Sequence, residues 1–132
     1  LSEGVEEFLD YCKAHNIFIA ILTNGRPKSQ YAKVIALDLH RWFDDDHIFI
    51  SGGIGYQKPD PMAFQYIEKM FSLNPEETWY IGDTYEADVV GADDAGWHTV
   101  WFNHRNRERL ENCADVTVTS IKELSRFIRE RS

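Results

Sequence analysis

The sequence is short of cationic residues, and this shortage excludes several functions. Its 14 lysines and arginines are outnumbered by 22 aspartates and glutamates, which gives a formal net charge of −8 at pH 7. Nucleic acids and anionic membranes bind surfaces that accumulate lysine and arginine, so neither is expected as a partner. A small anionic substrate remains compatible with this charge if a metal ion and a lysine reverse the field locally.

Cysteine and long apolar runs are also scarce. Cys12 and Cys113 form no Cys-x-x-Cys pair, so neither a zinc site nor a disulfide framework is predicted. No apolar run approaches membrane-spanning length, and the acidic, mixed residues 1–7 do not look like a signal peptide. We therefore expect a soluble, cytoplasmic protein.

The length and the hydrophobic pattern predict one α/β domain over residues 1–132. With 43% hydrophobic residues, the chain can bury one core. Apolar spacing predicts strands at 17–22, 47–50, 78–81, 98–102 and 116–119. It predicts helices at 5–12, 28–39, 61–71 and 87–95, and a last helix after a capping box at Ser120 and Glu123. Ser2 is the expected cap of the first helix, Pro61 suits the first turn of the third, and Gly96 is expected to end the fourth. This alternation predicts a doubly wound, Rossmann-like parallel sheet with helices on both faces.

Three polar segments lie at or just beyond the ends of predicted strands, where open parallel sheets bind their ligands. The first, Thr23-Asn24-Gly25, can hold phosphate oxygens with a hydroxyl and backbone N–H groups. The second contains Lys58 before Pro59, which disfavours helix at residue 58 and leaves the ammonium just ahead of a helix. The alternatives are an ordinary turn and a solvated lysine.

The third segment runs from Gly82 to Asp88 and supplies two carboxylates. Asp83 leaves a strand and Asp88 follows about one helical turn later, so both can turn toward one point. Two such carboxylates suit a hard cation such as Mg²⁺, whereas the alternative is that both only cap a helix. The order and context of the three segments together favour a functional site.

These segments resemble the second, third and fourth motifs of the haloacid dehalogenase-like superfamily of aspartyl-phosphate-forming phosphohydrolases, and the resemblance covers residues 1 to about 104. The sequence around these motifs is most similar to the branch that contains nucleotidases, phosphoglycolate phosphatase and sugar-phosphate phosphatases. In that branch the cap lies between the first and second motifs. The resemblance implies a Mg²⁺-dependent phosphatase that acts on a small phosphorylated metabolite, such as a nucleotide or a sugar phosphate.

The resemblance also implies a role for each candidate residue. Thr23 would bind the phosphoryl group, with Asn24 contributing its backbone N–H, and Lys58 would balance the charges of nucleophile and phosphate. Asp83 would ligate Mg²⁺, and Asp88 would support the metal directly or through water.

The first motif of that family, a strand followed by Asp-x-Asp-x-Thr or Val, is absent from the sequence. Residues 44–46 are three aspartates, but they follow Trp42 and Phe43 rather than a buried strand, so we expect a solvated turn. Without the first motif there is no nucleophile, and the chain alone is expected to be inactive. We interpret it as the C-terminal part of the core, whose missing N-terminal segment and cap belong to the same protein; truncation, proteolysis and a noncatalytic remnant are all open.

Other interpretations compete with the phosphatase. A response-regulator receiver would carry its acidic pair first and its lysine last, the reverse of the order here. A noncatalytic binding or scaffold module fits the missing nucleophile but would not need Thr23, Lys58, Asp83 and Asp88 together. A dehalogenase is less consistent with Asp83 after Gly82, which looks like the metal-binding form of the fourth motif.

Two further segments have simpler interpretations. Residues 52–55, Gly-Gly-Ile-Gly, lack the ending of a phosphate-binding loop and are predicted to form a flexible active-site loop. The cluster of His104, Arg105, Arg107 and Arg109 is expected to be a solvated loop beginning a helix.

Overall fold

The computed structural model describes residues 1–131 and consists of parallel strands connected largely by helices. The chain divides into two compact units, Leu1–Gln57 and a second that begins at Lys58. The α/β class with parallel pairing is as predicted, while a single domain over residues 1–132 remains a prediction. Within residues 1–131, none of the helices has the length and apolar character needed to cross a membrane.

The first unit contains a two-stranded parallel sheet. Its elements are α1 (Glu3–Ala14), β1 (Ile21–Thr23), α2 (Pro27–Ala36), β2 (Ile48–Ile50) and α3 (Ser51–Ile54). In the ladder, Ile21 lies opposite Ile48 and Thr23 opposite Ile50. Ser2 caps α1 as predicted, because its hydroxyl accepts the Val5 N–H at 3.3 Å.

The first unit is held together by aromatic and aliphatic side chains of α1 and the segment before β2. Leu9, Trp42 and Phe43 form a buried cluster, and Val5 and Phe8 pack against it. The indole N–H of Trp42 donates to the Asp10 carboxylate at 2.7 Å, so its polar atom is satisfied.

The second unit contains a three-stranded parallel sheet in the order β3-β4-β5. Its elements are α4 (Pro61–Phe71), β3 (Trp79–Gly82), a π-helical turn (Tyr85–Val90), α5 (Gly91–Asp94), β4 (His98–Phe102), β5 (Val116–Val118) and α6 (Ile121–Arg131). Pro61 occupies the first turn of α4, as predicted, and the Asp60 carboxylate accepts the Met62 N–H at 2.9 Å. For α6, the Ser120 hydroxyl accepts the Glu123 N–H at 3.1 Å, which is one half of the predicted capping box.

An aromatic cluster forms the centre of the second unit. Phe64 on α4 is fully buried and meets the rings of Tyr80 and Trp97 edge to face, at centroid distances of 5.0 and 5.4 Å. The Trp97 N–H donates to the Glu68 carboxylate at 3.0 Å. This cluster fixes β3, the strand that leads into the candidate site.

Several predicted bounds were wrong. The strand predicted at 17–22 is β1, which begins only at Ile21 because its ladder is as short as its partner β2. The helix predicted at 28–39 ends at Ala36, before Asp38 takes a left-handed conformation with φ 53°. The helix predicted at 87–95 is a π-helical turn followed by α5, which ends at Asp94 ahead of the predicted stop at Gly96, where φ is +85°.

Two predicted loops also differ from the structure. Residues 52–55 belong largely to the short helix α3, and Gly55 ends it with φ 88°, so this segment is not an irregular loop. No helix begins in the cluster of His104, Arg105, Arg107 and Arg109, where residues 103–115 are irregular. The three aspartates at 44–46 are exposed, as expected.

We predict that the core role of Phe64 is measurable as stability. Phe64→Ala removes a fully buried ring and two aromatic contacts, so the free energy of unfolding should fall by about 3–5 kcal/mol. Met70→Ala on the same helix is the control, since Met70 is exposed and should change stability by less than about 1 kcal/mol. Denaturant unfolding measures both, and equal effects would contradict this description of the core.

Candidate functional site

A buried ion pair between Lys58 and Asp88 forms the centre of the candidate site. The Lys58 ammonium donates to Asp88 Oδ1 at 2.6 Å, and the two side chains are only 12% and 6% exposed. Such a pair survives burial only when its geometry and its remaining hydrogen bonds are good. The structure therefore brings together two of the residues that the sequence singled out, although they are 30 positions apart.

The second oxygen of Asp88 is also engaged. Oδ2 accepts the backbone N–H of Thr84 at 3.0 Å. The carboxylate lies directly against the backbone of Gly82, where a Cβ would overlap the side-chain atoms of Asp88. Glycine at the end of β3 is thus required by this close approach.

Tyr80 completes the surroundings of Lys58. The ammonium donates to the Tyr80 hydroxyl at 3.1 Å and lies 5.5 Å from the centroid of its ring. Burial disfavours the charged form of Lys58, but Tyr80 and the Asp88 carboxylate outweigh it and raise the pKa of Lys58. Burial and the nearby carboxylates raise the pKa of Tyr80, against the opposing charge of Lys58, so the lysine is cationic and the phenol neutral at pH 7.

Asp83 has a different environment from Asp88. Its side chain is 45% exposed, and Oδ2 lies 3.2 Å from His104 Nε2 and 3.8 Å from the Arg105 guanidinium. Burial alone would raise the pKa of Asp83, but hydrogen bonds from His104 and Thr84 and the charge of Arg105 lower it. Asp83 is therefore an anion at neutral pH.

The Asp83 carboxylate borders an open pocket of about 500 Å³. The lining residues are Ile81, Gly82, Asp83, Phe102 and His104. An anionic oxygen that faces solvent at a strand end is accessible to a cation or a ligand. In the part of the chain that the structure describes, no three His, Cys, Asp or Glu side chains are grouped so as to hold a metal ion.

Thr84 connects the two aspartates. Its backbone N–H binds Asp88, while its hydroxyl donates to Asp83 Oδ1 at 3.3 Å. The two carboxylates were expected to turn toward one point, but Asp88 turns to Lys58 and Asp83 turns to the pocket. They share one contact, Thr84.

The third candidate segment, Thr23-Asn24-Gly25, lies in the first unit and forms a tight turn after β1. The Thr23 hydroxyl donates to Gln30 Oε1 at 3.1 Å, and the Gly25 N–H donates to the Ser51 hydroxyl at 2.9 Å. Gly25 has φ 148°, and a Cβ there would lie 2.6 Å from Gln30 Cγ. Since the Gly25 N–H already has a partner, the geometry of the turn is the contribution that Gly25 makes.

Sequence reasoning missed four residues that shape these contacts: Tyr80, Thr84, Gln30 and Ser51. Thr84 could have been found from its place between the two aspartates. Tyr80 carried only the signal of lying two positions before Gly82 on the same strand. Gln30 and Ser51 had none, because side-chain contacts across a turn leave no spacing pattern in the sequence.

The loop after β4 contacts the π-helical turn through an ion pair and a cation–π contact. Besides the contacts of His104 and Arg105 with Asp83, Arg109 donates to the Glu86 carboxylate at 2.7 Å. Its guanidinium lies 3.8 Å from the centroid of the Tyr85 ring. The basic cluster is exposed, as expected, and His104, Arg105 and Arg109 also contact the segment that carries the candidate carboxylates.

Comparison with known proteins identifies a family that this chain matches. The sequence model of the haloacid dehalogenase-like hydrolases matches residues 1–96. Glyceraldehyde 3-phosphate phosphatase of Pyrococcus furiosus is 32% identical over 125 residues, which are 92% of this chain and 51% of that protein. Phosphoserine phosphatase of Thermus thermophilus is 35% identical over 120 residues, or 90% of this chain and 47% of that protein.

A solved structure has the same fold. The crystal structure of magnesium-bound HAD-hydrolase YfnB from Bacillus subtilis superposes with a TM-score of 0.83 at 29% identity, covering 97% of this chain and 56% of that one. The chain spans about half the length of the curated relatives it matches.

We predict that Gly82 cannot be replaced even by alanine. The added methyl group would push the Asp88 carboxylate away from Lys58 and Thr84, so Gly82→Ala should lower the free energy of unfolding by about 3 kcal/mol. Gly53→Ala is the matched control, because the nearest atom to its new Cβ is 3.9 Å away. In thermal or denaturant unfolding, Gly53→Ala should stay within about 1 kcal/mol of the wild type, and a Gly82→Ala variant as stable as the control would refute the close approach.

Proposed function

Because this chain belongs to the haloacid dehalogenase-like hydrolases, we propose that it is the C-terminal part of the core of a phosphatase. The observation that carries the proposal is the buried Lys58 ammonium, held 2.6 Å from Asp88 on the unit that also presents the anionic, open Asp83. Two relatives are named as phosphatases of glyceraldehyde 3-phosphate and phosphoserine, which supports a small phosphorylated metabolite as substrate. Nucleotides and sugar phosphates are within the proposed class.

The proposed reaction is hydrolysis of a phosphate monoester in two transfers, with the nucleophile outside this chain. An aspartate carboxylate attacks phosphorus, the bond from phosphorus to the ester oxygen breaks, and the alcohol leaves with a proton from a general acid that also lies outside this chain. Water, which gives a proton back to that same group, then attacks phosphorus of the acyl phosphate, releasing inorganic phosphate and restoring the carboxylate. In this scheme Lys58 offsets the repulsion between the anionic nucleophile and the phosphate dianion, as its charge at neutral pH allows.

The turn after β1 is the proposed site for the phosphoryl oxygens. The Thr23 hydroxyl would exchange its hydrogen bond with Gln30 for a phosphoryl oxygen, and the Asn24 backbone N–H would donate beside it. Gly25 keeps the turn tight through its φ of 148°. A backbone donor that is fixed before the substrate arrives costs little reorganisation at the moment of reaction.

The residues at the end of β3 fit Mg²⁺ in part. Asp83 is anionic, 45% exposed and next to the open pocket, so it fits as a direct ligand. Asp88 has both oxygens engaged, so it fits as a support that acts through water. When bound, Mg²⁺ would supply Lewis-acid stabilisation of phosphoryl charge, and the magnesium-bound YfnB structure supports this choice of metal.

The proposal also covers the rest of the protein and its location in the cell. The remaining ligands and the nucleophile would come from an N-terminal segment and cap of the same protein. A cytoplasmic location is proposed because both cysteines, buried Cys12 and exposed Cys113, are free thiols.

The metal assignment predicts a specific loss. In the full-length protein, Asp83→Asn should lower kcat/KM at least about 100-fold and weaken Mg²⁺ binding, because it removes an anionic ligand oxygen. Phosphate release and calorimetric Mg²⁺ titration measure the two effects. Asp93→Asn, an exposed aspartate on α5, is the control and should leave both unchanged. Unaltered metal binding in Asp83→Asn would remove Asp83 from the site.

The lysine assignment predicts a graded series. Lys58→Ala should lower kcat about 100-fold or more, since the nucleophile and phosphate would repel each other without a cation. It should also destabilise the protein by about 3–5 kcal/mol, because the buried Asp88 carboxylate would lose its cationic partner. Lys58→Arg retains the charge and should recover stability more than rate, because the guanidinium differs in shape. Lys69→Ala, exposed on α4, controls for loss of a surface charge, and wild-type turnover in Lys58→Ala would refute the role.

A further inference from the structure

The Lys58 ammonium is held from two directions. Lysine carries its charge on a flexible four-carbon stem with rotatable donors, so one hydrogen bond leaves the ammonium free to swing about its partner. In this structure it donates to Asp88 Oδ1 at 2.6 Å and to the Tyr80 hydroxyl at 3.1 Å. Asp88 supplies the opposite charge, and Tyr80 supplies a second, neutral acceptor that sets the direction.

The Tyr80 hydroxyl is itself placed by rigid structure. The ring packs edge to face on the fully buried Phe64 at 5.0 Å and lies 6.4 Å from the Trp97 ring. The Tyr80 backbone belongs to the β3–β4 ladder, where it lies opposite Thr99. A phenol anchored in this way has only two side-chain torsions, both constrained by packing, so its oxygen is a fixed reference point.

The hydroxyl is the part of Tyr80 that this packing does not need. Phenylalanine has the same ring and would make the same contacts with Phe64 and Trp97. The ring centroid lies 5.5 Å from the ammonium, so the attraction of the ring for the cation is weaker than the direct 3.1 Å hydrogen bond. The phenolic oxygen therefore adds a hydrogen bond with Lys58 that the packing of the ring does not require.

We propose that Tyr80 is a positioning residue, whose hydroxyl fixes the Lys58 ammonium in the orientation that meets the phosphoryl group. The proposal deepens the proposed function and rests on it for the role of Lys58 in turnover. Asp88 holds the Lys58 ammonium in the site by charge, and the Tyr80 hydroxyl fixes the direction in which the ammonium points. Catalysis is sensitive to small displacements of a charge that acts in the transition state. Loss of the fixed orientation of the Lys58 ammonium should therefore affect turnover more than substrate binding.

The test is Tyr80→Phe in the full-length protein, which deletes one oxygen and keeps the ring. We expect kcat to fall about tenfold while KM changes less than about twofold. The matched control is Thr99→Val, because it removes the buried hydroxyl directly opposite Tyr80, one that accepts the Asp115 N–H at 3.2 Å and does not contact Lys58. Thr99→Val should lose stability but keep the wild-type kcat.

A second measurement reports on Lys58 without turnover. NMR relaxation of the Lys58 side chain should show an ordered ammonium in wild type and Thr99→Val, and a clearly more mobile one in Tyr80→Phe. If the wild type hydrolyses no phosphate ester but Lys58 still loosens in Tyr80→Phe, the proposed function fails and the positioning role stands. If Lys58 stays ordered in Tyr80→Phe, or if kcat falls equally in both variants, the positioning role is overturned.

Discussion

The ion pair between Lys58 and Asp88 is the interaction on which the arrangement of the second unit depends. It joins the segment that leads into α4 to the π-helical turn after β3 across 30 positions of sequence, at 2.6 Å and with little exposure of either side chain. A buried carboxylate is tolerated only when its oxygens are satisfied. Lys58 satisfies one and the Thr84 N–H the other, so the end of β3 must adopt the backbone that presents this N–H.

The same pair explains how two aspartates five positions apart acquire different chemistry. Asp88 is closed off by its partners and by the backbone of Gly82, whereas Asp83 faces an open pocket beside the exposed side chains of His104 and Arg105. The buried carboxylate fixes a lysine, and the open one is available for a cation. Because Thr84 contacts both, a shift of one carboxylate would be felt by the other.

Each unit uses glycine in the same way, at or just after the end of its first strand. Gly25 lets the Gln30 side chain approach the turn after β1, and Gly82 lets the Asp88 carboxylate approach the end of β3. In both places a polar side chain lies where a Cβ would stand, close to a candidate site residue. The absence of a side chain thus shapes the turns as much as the polar groups do.

Much of the fold and the outline of the site could be predicted from the sequence alone. Hydrophobic period, proline position and capping residues are local signals, so the order of strands and helices, the start of α4 at Pro61 and the cap at Ser2 were all predicted. The candidate segments could be found because strand ends are where parallel sheets collect polar side chains. The bounds of β1 depended on its partner strand, which local spacing does not encode.

Only the tertiary structure decided what each polar residue contacts. It separated Asp83 from Asp88, gave Lys58 a second acceptor in Tyr80, and turned the basic loop after β4 onto Asp83. These contacts join residues far apart in the chain, and their energies depend on burial and on distances of about 3 Å. A sequence therefore determines which groups are present and in what order, whereas packing determines which of them are buried, paired or open to a ligand.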